Sequence, residues 1–451
     1  MRKLDDSSSS SNTFSCFRHS LLEILYLIGI CLVLNVTYGS GFQPLIQLPS
    51  SGLSTNTSSR SKTVLLNIDD FGARGDGIAD DTKILQDVWK VACSSSSPAK
   101  IIIPARNSYL VKPIDFPGPC LSNVTLRVSG ILVAPQDPEV WDGLNVHKWL
   151  YFHGVKQLTI EGGGLIDGRG QKCPAHMLQR PLHSISARNL KVRNVTLVNS
   201  QQMHMAFTNC MHVAASGVTV IAPADSPNTD GIHISSTTHV ELKNVVVGTG
   251  DDCISIVGYS SQIRIKNIVC GPGHGISIGS LGKNNTSAAV QDVIVDGAVL
   301  FNTENGVRIK TWQGGSGFAR KITFQNILMH NVSNPIIIDQ YYCDSPLPCL
   351  NQTSAVHIDS ISFRNIKGTS ETEGAIMFLC SDSCPCKRLN LENVELVWLS
   401  GIAKSVCWES YGTTTALISP PSCIPSDDKV IQNDNNSDSS TSLQKHDHAS
   451  I

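Results

Sequence analysis

Short apolar runs, each interrupted in the middle by an asparagine or a glycine, recur along most of the chain. Leu190-Lys191-Val192-Arg193-Asn194-Val195-Thr196-Leu197 shows the unit, and residues 240–247, 263–269 and 322–328 repeat it. The interrupting or neighbouring small residue falls at 162, 194, 217, 244, 267, 297, 326, 365 and 393, in steps of 23 to 39 residues. A unit that keeps its strand pattern while its spacing varies this way is the signature of a solenoid with loops of unequal length. A second ladder fixes the register. Ile232-His233-Ile234, Ile254-Ser255-Ile256 and Ile276-Ser277-Ile278 lie 22 residues apart, and Val307-Arg308-Ile309 continues the series after a longer loop. Side chains alternate along a strand, so the aliphatics point inward and His233, Ser255, Ser277 and Arg308 outward. Stacked rungs bury an aliphatic column at about 4.8 Å per coil. The pattern predicts an all-β protein, a right-handed parallel β-helix. An antiparallel sandwich is the alternative, but hairpins do not repeat side-chain identity at a fixed step. One helix is expected ahead of this body. Asp80-Asp81-Thr82 supplies caps, and Ile84, Leu85, Val88, Trp89 and Val91 follow at helical spacing, as a short amino-terminal capping helix.

The ends of the chain read differently. An apolar run over residues 24–34 is short for a membrane span and suits the core of a signal peptide, with Gly39 as the cleavage point. The division expected is a signal peptide at 1–39, a flexible Ser/Thr-rich segment at 40–63, the β-helix at 64–423 and a disordered polar tail at 424–451. Thirteen of the fifteen cysteines follow the leader, an odd number. In a secreted chain they read as disulfides with at least one thiol left over. None of the spacings makes a zinc pattern. Sequons at Asn123, Asn194, Asn284, Asn285, Asn331 and Asn351 fit a secreted glycoprotein without stable membrane association. The 451 residues carry a formal charge of −2, which offers no field for a polyanion and sets aside a general nucleic-acid binder.

The ladder also decides which polar residues meet. Asp230, Asp252 and His274 stand at the same end of three successive rungs, 22 residues apart, and Asp251 adjoins Asp252. Arg308 lies on the outward face of the next rung, with Lys310 two residues on and on the same side. Three coil steps span about 14 Å, a length suited to a groove for a polymer. Close carboxylates push one pKa up, so that one holds a proton while another stays ionised, the pair that glycosidic cleavage requires. Arg308 and Lys310 beside them suit a substrate carboxylate. Singly, an Asp-Asp pair reads as a cap, a histidine between glycines as a turn residue and an outward arginine as surface. Their gathering on consecutive coils reverses that reading. His204, His212 and His239 lack such company and read as structural or surface residues, and Asn199, Asn244, Asn267 and Asn326 as turn or ladder residues.

Asn228-Thr229-Asp230, Gly250-Asp251-Asp252, Gly273-His274-Gly275 and Arg308-Ile309-Lys310 stand in the order of the four signature motifs of the polygalacturonases, which the chain resembles over roughly residues 64–423. Phe71-Gly72-Ala73-Arg74-Gly75-Asp76-Gly77 and Gly163-Gly164-Leu165-Ile166-Asp167-Gly168-Arg169-Gly170 resemble further segments of that family, most closely its plant branch. The resemblance implies a secreted, cell-wall, pectin-cleaving glycoside hydrolase with no cofactor, acting as a monomer on a pectic polysaccharide with inversion of configuration. It implies Asp251 as general acid, Asp230 and Asp252 as activators of water, and His274 as an aid to holding the acid's proton. It places Arg308, Lys310, Tyr342 and Asn228 on the substrate, with Tyr341 as the competing choice for Tyr342. It also implies bridges Cys253–Cys270, Cys343–Cys349 and Cys380–Cys386, and Cys384, beside Cys386 where an apolar residue is expected, is the candidate for the odd thiol. The segment Gln171-Lys172-Cys173-Pro174 departs from the family, where a Trp pair often stands. Three rivals remain: a calcium-dependent polysaccharide lyase, a rhamnogalacturonan hydrolase and a catalytically inactive pectin-binding solenoid.

Overall fold

The computed structural model describes residues 62–141, 148–170 and 183–425. The leader, the segment 171–174 with Cys173, and the chain beyond residue 425 lie outside the described residues. The architecture is a right-handed parallel β-helix, the hand that parallel crossovers take. One wall stacks the strands Ile232–Ser235, Ile254–Ile256, Ile276–Leu281, Asn305–Thr311, Asn334–Asp339 and Gly374–Leu379 in parallel. The register is the one the ladder predicts. Ile232 pairs with Ile254, Ile254 with Ile276 and Ile276 with Val307, while Ser277 pairs with Arg308. Both aliphatics of each of these rungs are fully buried. Each buried side chain of this size contributes about 1.5–3 kcal/mol, so the column is the main source of stability.

The other wall is made of longer strands, among them Thr238–Gly248, Ser260–Cys270, Ser287–Phe301, Ser316–Val332, His357–Ser370 and Cys386–Trp398. Each bends where the sequence placed its marker. Gly162, Asn194, Gly217, Asn244, Asn267, Gly297, Asn326, Asn365 and Asn393 all have positive φ. A left-handed residue turns the strand through a corner, and only glycine and asparagine take that conformation routinely. The asparagines also pay the local cost by pairing between coils. Asn267 Nδ2 donates to Asn244 Oδ1 at 3.1 Å, Asn365 to Asn326 at 3.1 Å and Asn393 to Asn365 at 3.0 Å.

The helix Thr82–Cys93 closes the amino-terminal coil, with two corrections to the expected pattern. Its buried face is Leu85, Val88, Trp89 and Ala92, whereas Val91 is exposed. Asp81 occupies the N-cap position but makes no side-chain cap bond. Its buried carboxylate accepts from the Arg74 and Gly75 amides at 2.8 and 3.2 Å, tying the preceding loop to the helix start. Asp80 does the capping instead, accepting from the Thr82 amide at 3.0 Å. Trp89 meets Phe116 and Phe152 edge-on, at 5.1 and 5.7 Å between ring centroids, which seats the helix on the first coils.

Among the described residues five disulfides are formed: Cys93–Cys120, Cys253–Cys270, Cys343–Cys349, Cys380–Cys386 and Cys407–Cys423. The three expected bridges are among them. Cys384 is free, and so is Cys210, which the sequence did not single out. Both are buried, and the Cys384 thiol lies 3.1 Å from His357 Nδ1.

Candidate active site

The outward residues of the rungs are not solvent-facing, as alternation alone suggests. Ser255, Ser277 and Arg308 are buried beneath a polar network of their own. Its centre is Asp252. Oδ1 accepts from Ser277 Oγ at 2.7 Å and from Arg308 Nη2 at 2.8 Å, and Oδ2 accepts from Lys310 Nζ at 2.9 Å. The side chain of Asp252 is 2% exposed, and those of Arg308 and Lys310 are 9% exposed. One carboxylate thus sits in a nearly dry setting between two cations of a single strand, Asn305–Thr311, two coils on. Arg308 Nε also donates to Ser277 Oγ at 3.0 Å, which fixes the guanidinium plane. The sequence placed these cations on a substrate carboxylate; in the structure their partner is Asp252. Capacity remains for a second anion, because a guanidinium has five N–H donors and an ammonium three.

Asp251 stands beside this cluster with a different partner. Its Oδ1 is 3.1 Å from His274 Nδ1 and accepts from the Asp252 amide at 2.7 Å. The backbones hold the pair in place, with the His274 amide donating to the Asp251 carbonyl at 2.8 Å. The glycines around His274 are required by close approach. A Cβ on Gly275, at φ +85°, would lie 2.0 Å from the Asn305 carbonyl oxygen of the next coil. Burial pushes Asp251 up, but the hydrogen bond and charge of His274, with help from the Asp252 amide and Lys310, carry it below its ordinary 3.8. His274 moves the other way, raised above 6.5 chiefly by its hydrogen bond to Asp251. In the unliganded site the proton of this pair therefore rests on the imidazole.

Asp230 completes the group from the coil before. Ser255 Oγ donates to its Oδ2 at 2.6 Å, and His233 Nδ1 lies 3.8 Å from the same oxygen. Burial raises its pKa above 3.8, the charges of Asp251 and Asp252 add to that, and His233 opposes it. Asp230 and Asp251 are thus pushed in opposite directions, which is the condition for dividing acid and base roles between them. Beneath Asp230 lies His204. It is wholly buried, lowered to about 4 by that burial, and its Nδ1 is 3.2 Å from the Asp230 carbonyl oxygen. It is a neutral brace for the backbone of the site, consistent with the structural reading of its sequence context.

Tyr342 and Tyr341 part company. The Tyr342 ring centroid is 5.3 Å from Lys310 Nζ and 5.7 Å from the Trp312 ring, and burial pushes its hydroxyl up to about 12. Tyr341 turns away and donates to Asp382 Oδ2 at 3.0 Å. Asn228 is exposed, in a left-handed turn. Thr229 between it and Asp230 is a support, its hydroxyl oxygen accepting from the Gly250 amide at 3.1 Å. The Cys253–Cys270 bridge anchors the chain immediately after Asp252. One charged neighbour went unnoticed in the sequence: Glu304 Oε2 lies 3.2 Å from His274 Nε2. It belongs to a loop of irregular length between Ser287–Phe301 and Asn305–Thr311, so no fixed step announced it.

Ligand atoms of Asp251, Asp252 and His274 fall within 4.8 Å of one another, a spacing open in principle to a cation. The donor set argues for another use, since both oxygens of Asp252 already face the charged nitrogens of Arg308 and Lys310.

Comparison with known proteins gives a consistent result. The sequence profile of glycosyl hydrolases family 28 matches residues 93–414. A probable polygalacturonase of Arabidopsis thaliana is 49% identical over 427 residues, covering 92% of this chain and 96% of its own. A polygalacturonase of Persea americana is 47% identical over 372 residues, covering 80% of each chain. Among solved structures, the endo-xylogalacturonan hydrolase of Aspergillus tubingensis superposes with a TM-score of 0.67 at 22% identity, over 79% of this chain and 100% of its own, a likeness of fold.

Proposed function

The chain belongs to glycosyl hydrolases family 28 and is a polygalacturonase-type glycoside hydrolase acting on pectic polysaccharide, and from that premise we propose the chemistry of its site. The substrate bond is the α-1,4-galacturonosyl linkage of homogalacturonan. The observation that carries the assignment of roles is the division of the carboxylates between two partners, Asp251 with His274 and Asp252 with Arg308 and Lys310.

Asp251 is the general acid. The proton it delivers to the leaving oxygen is the one it shares with His274, so the imidazolium recharges a carboxylate whose own pKa is low in the unliganded site. Binding a galacturonate carboxylate brings another negative charge close to Asp251, which favours movement of the proton from imidazole to carboxyl. Asp230 and Asp252 activate the attacking water. Asp230 accepts its proton, while Asp252, pinned by two cations, orients it. Arg308 and Lys310 hold the sugar carboxylate with the N–H groups that Asp252 leaves available, and Tyr342 and Asn228 flank it. Attack by water from the face opposite the acid inverts the anomeric centre with no covalent intermediate.

Five disulfides fit an oxidising compartment, and among the described residues no helix is long and apolar enough to cross a membrane. We place the protein in the cell wall as a secreted monomer, with its catalytic body at 64–423 between a removed leader at 1–39, a linker at 40–63 and a tail at 424–451.

The test is cleavage of de-esterified polygalacturonate by the purified protein with a chelator present. The readouts are reducing ends, absorbance of unsaturated products and the anomeric form of the first product by proton NMR. Reducing ends of β configuration, absent in Asp251→Asn, are expected. Unsaturated products would assign a lyase, and an α product would refute inversion.

A further inference from the structure

We propose that Glu304 is a positioning residue of the acid, a second carboxylate that clamps His274 from the far side and keeps its ring oriented and doubly protonated behind Asp251. This rests on the reading of Asp251 as the acid. The geometry is a sandwich: Nδ1 of His274 is 3.1 Å from Asp251 Oδ1 and Nε2 is 3.2 Å from Glu304 Oε2. A neutral imidazole donates from one nitrogen only. With a carboxylate at each nitrogen, the neutral ring must set a lone pair against an anion on one side. Only the imidazolium satisfies both contacts.

Glu304 is half exposed, yet it is held in place. Its amide donates to the Gly273 carbonyl at 2.9 Å, which ties its backbone to the residue preceding His274. Its Oε1 accepts from Asn305 Nδ2 at 3.3 Å. Asn305 is itself buried and accepts from Asn334 Nδ2 at 3.3 Å, while the Asn334 amide donates to the Glu304 carbonyl at 2.9 Å. The line from Asp251 through His274, Glu304 and Asn305 to Asn334 thus crosses four coils. The charged groups acting on His274 are Asp251, Glu304 and Asp252, all of them negative. The cations of the site, Arg308 and Lys310, are bound to Asp252. Glu304 adds the one favourable charge that does not also belong to the reacting carboxylates, so it favours reprotonation of the ring by water once its proton has passed through Asp251 to the leaving oxygen.

The experiment is a histidine-labelled NMR titration of the full chain, with His274 assigned by His274→Asn, in wild type, Glu304→Gln and Glu304→Asp. Glu304→Gln is nearly isosteric and leaves one amide acceptor, so near-UV circular dichroism should match wild type. The expected result is a fall in the His274 pKa by about half a unit or more. The alkaline limb of kcat/KM on polygalacturonate should move to lower pH by the same amount, with kcat reduced and KM little changed. Glu304→Asp, which keeps the charge on a shorter stem, should recover part of both shifts. A folded Glu304→Gln protein with an unmoved His274 pKa overturns the clamp. A moved pKa with an unmoved alkaline limb overturns its part in proton delivery. If wild type fails to cleave polygalacturonate at all, the reading of the reaction falls, and the titration still decides whether Glu304 holds the ring.

Discussion

Replacing Asp252 by Asn leaves the shape of the site almost unchanged and removes its central charge. The consequence for stability can be worked from the contacts. Arg308 and Lys310 lie 2.8 and 2.9 Å from the two oxygens, and both are nearly buried. Removing one partner of a buried pair costs about 3–5 kcal/mol, because the remaining charge is stranded away from water. Here two cations lose one anion, and the amide can accept at Oδ1 only. Its Nδ2 presents a donor to Lys310. The cost should sit in the middle of that range, about 4 kcal/mol. At about 2.1 cal/mol/K per residue, roughly 350 ordered residues have an unfolding entropy near 0.7 kcal/mol/K, which makes the loss about 6 °C in Tm. The assay is calorimetry of wild type, Asp252→Asn, and Asp252→Asn with Lys310→Met. The double variant removes one stranded cation and should recover about half of the loss. All variants should lose activity by at least about 100-fold. If Asp252→Asn melts within about 1 °C of wild type, or the double variant melts below the single one, the cations do not depend on this carboxylate and the reasoning is wrong.

Activity should follow a bell in pH. The acid limb reports Asp230, held above 3.8 by burial and its carboxylate neighbours, and the alkaline limb reports His274, held above 6.5 by Asp251 and Glu304; an alkaline limb below 6.5 would contradict the ion pair. Stability follows the His274–Asp251 pair. His274 contributes an increment fully present below pH 6.5 and lost as pH rises through its folded value, while Asp251, lowered, contributes one present above 3.8 and lost as pH falls through its folded value. Replacing Cys253 and Cys270 by serine opens a loop with a sequence separation of 17, which should cost about 3 kcal/mol; thermal melts check this, and kcat should fall more than KM changes because the chain behind Asp252 loosens. Gly275→Ala should give little folded protein, since its Cβ would meet backbone oxygens of the next coil that no rotamer change can move; a soluble, active variant would show that the coils can separate there.

The coil register was readable because two local rules act together. Side chains alternate with a period of two, and a left-handed corner selects asparagine or glycine. The rungs at 232, 254, 276 and 307 and the corners from 162 to 393 therefore sit where the pattern set them. The gathering of Asp230, Asp251, Asp252, His274, Arg308 and Lys310 followed from that register. Their pairing did not, because rotamers across coils decide which carboxylate a long side chain reaches. Arg308 and Lys310 pointed in sequence to a substrate and in the structure first satisfy Asp252. Glu304 was hidden for a related reason, since it lies on a loop whose length breaks the step. The Asp81 carboxylate illustrates the limit of cap rules, which do not distinguish a residue serving its own helix from one serving the loop before it.

The two ends of the solenoid are finished differently. The amino-terminal coil is sealed by a helix with a buried tryptophan and tied by Cys93–Cys120. The last coil, tied by Cys407–Cys423, has no such helix over its strand Lys404–Trp408 among the described residues, and Val406 and Trp408 are exposed, with Leu399 and Ile402 exposed beside them. Coils in a linear array hold only their neighbours, so opening starts where a neighbour is missing. Amide exchange should therefore form a gradient, fastest near residue 400 and slowing through Gly374–Leu379 and Asn334–Asp339 towards the coils of the site. The residues proposed for catalysis stand several coils in from this fraying end. The distal coils act as a sacrificial margin, able to open and reclose without disturbing the geometry on which the chemistry depends.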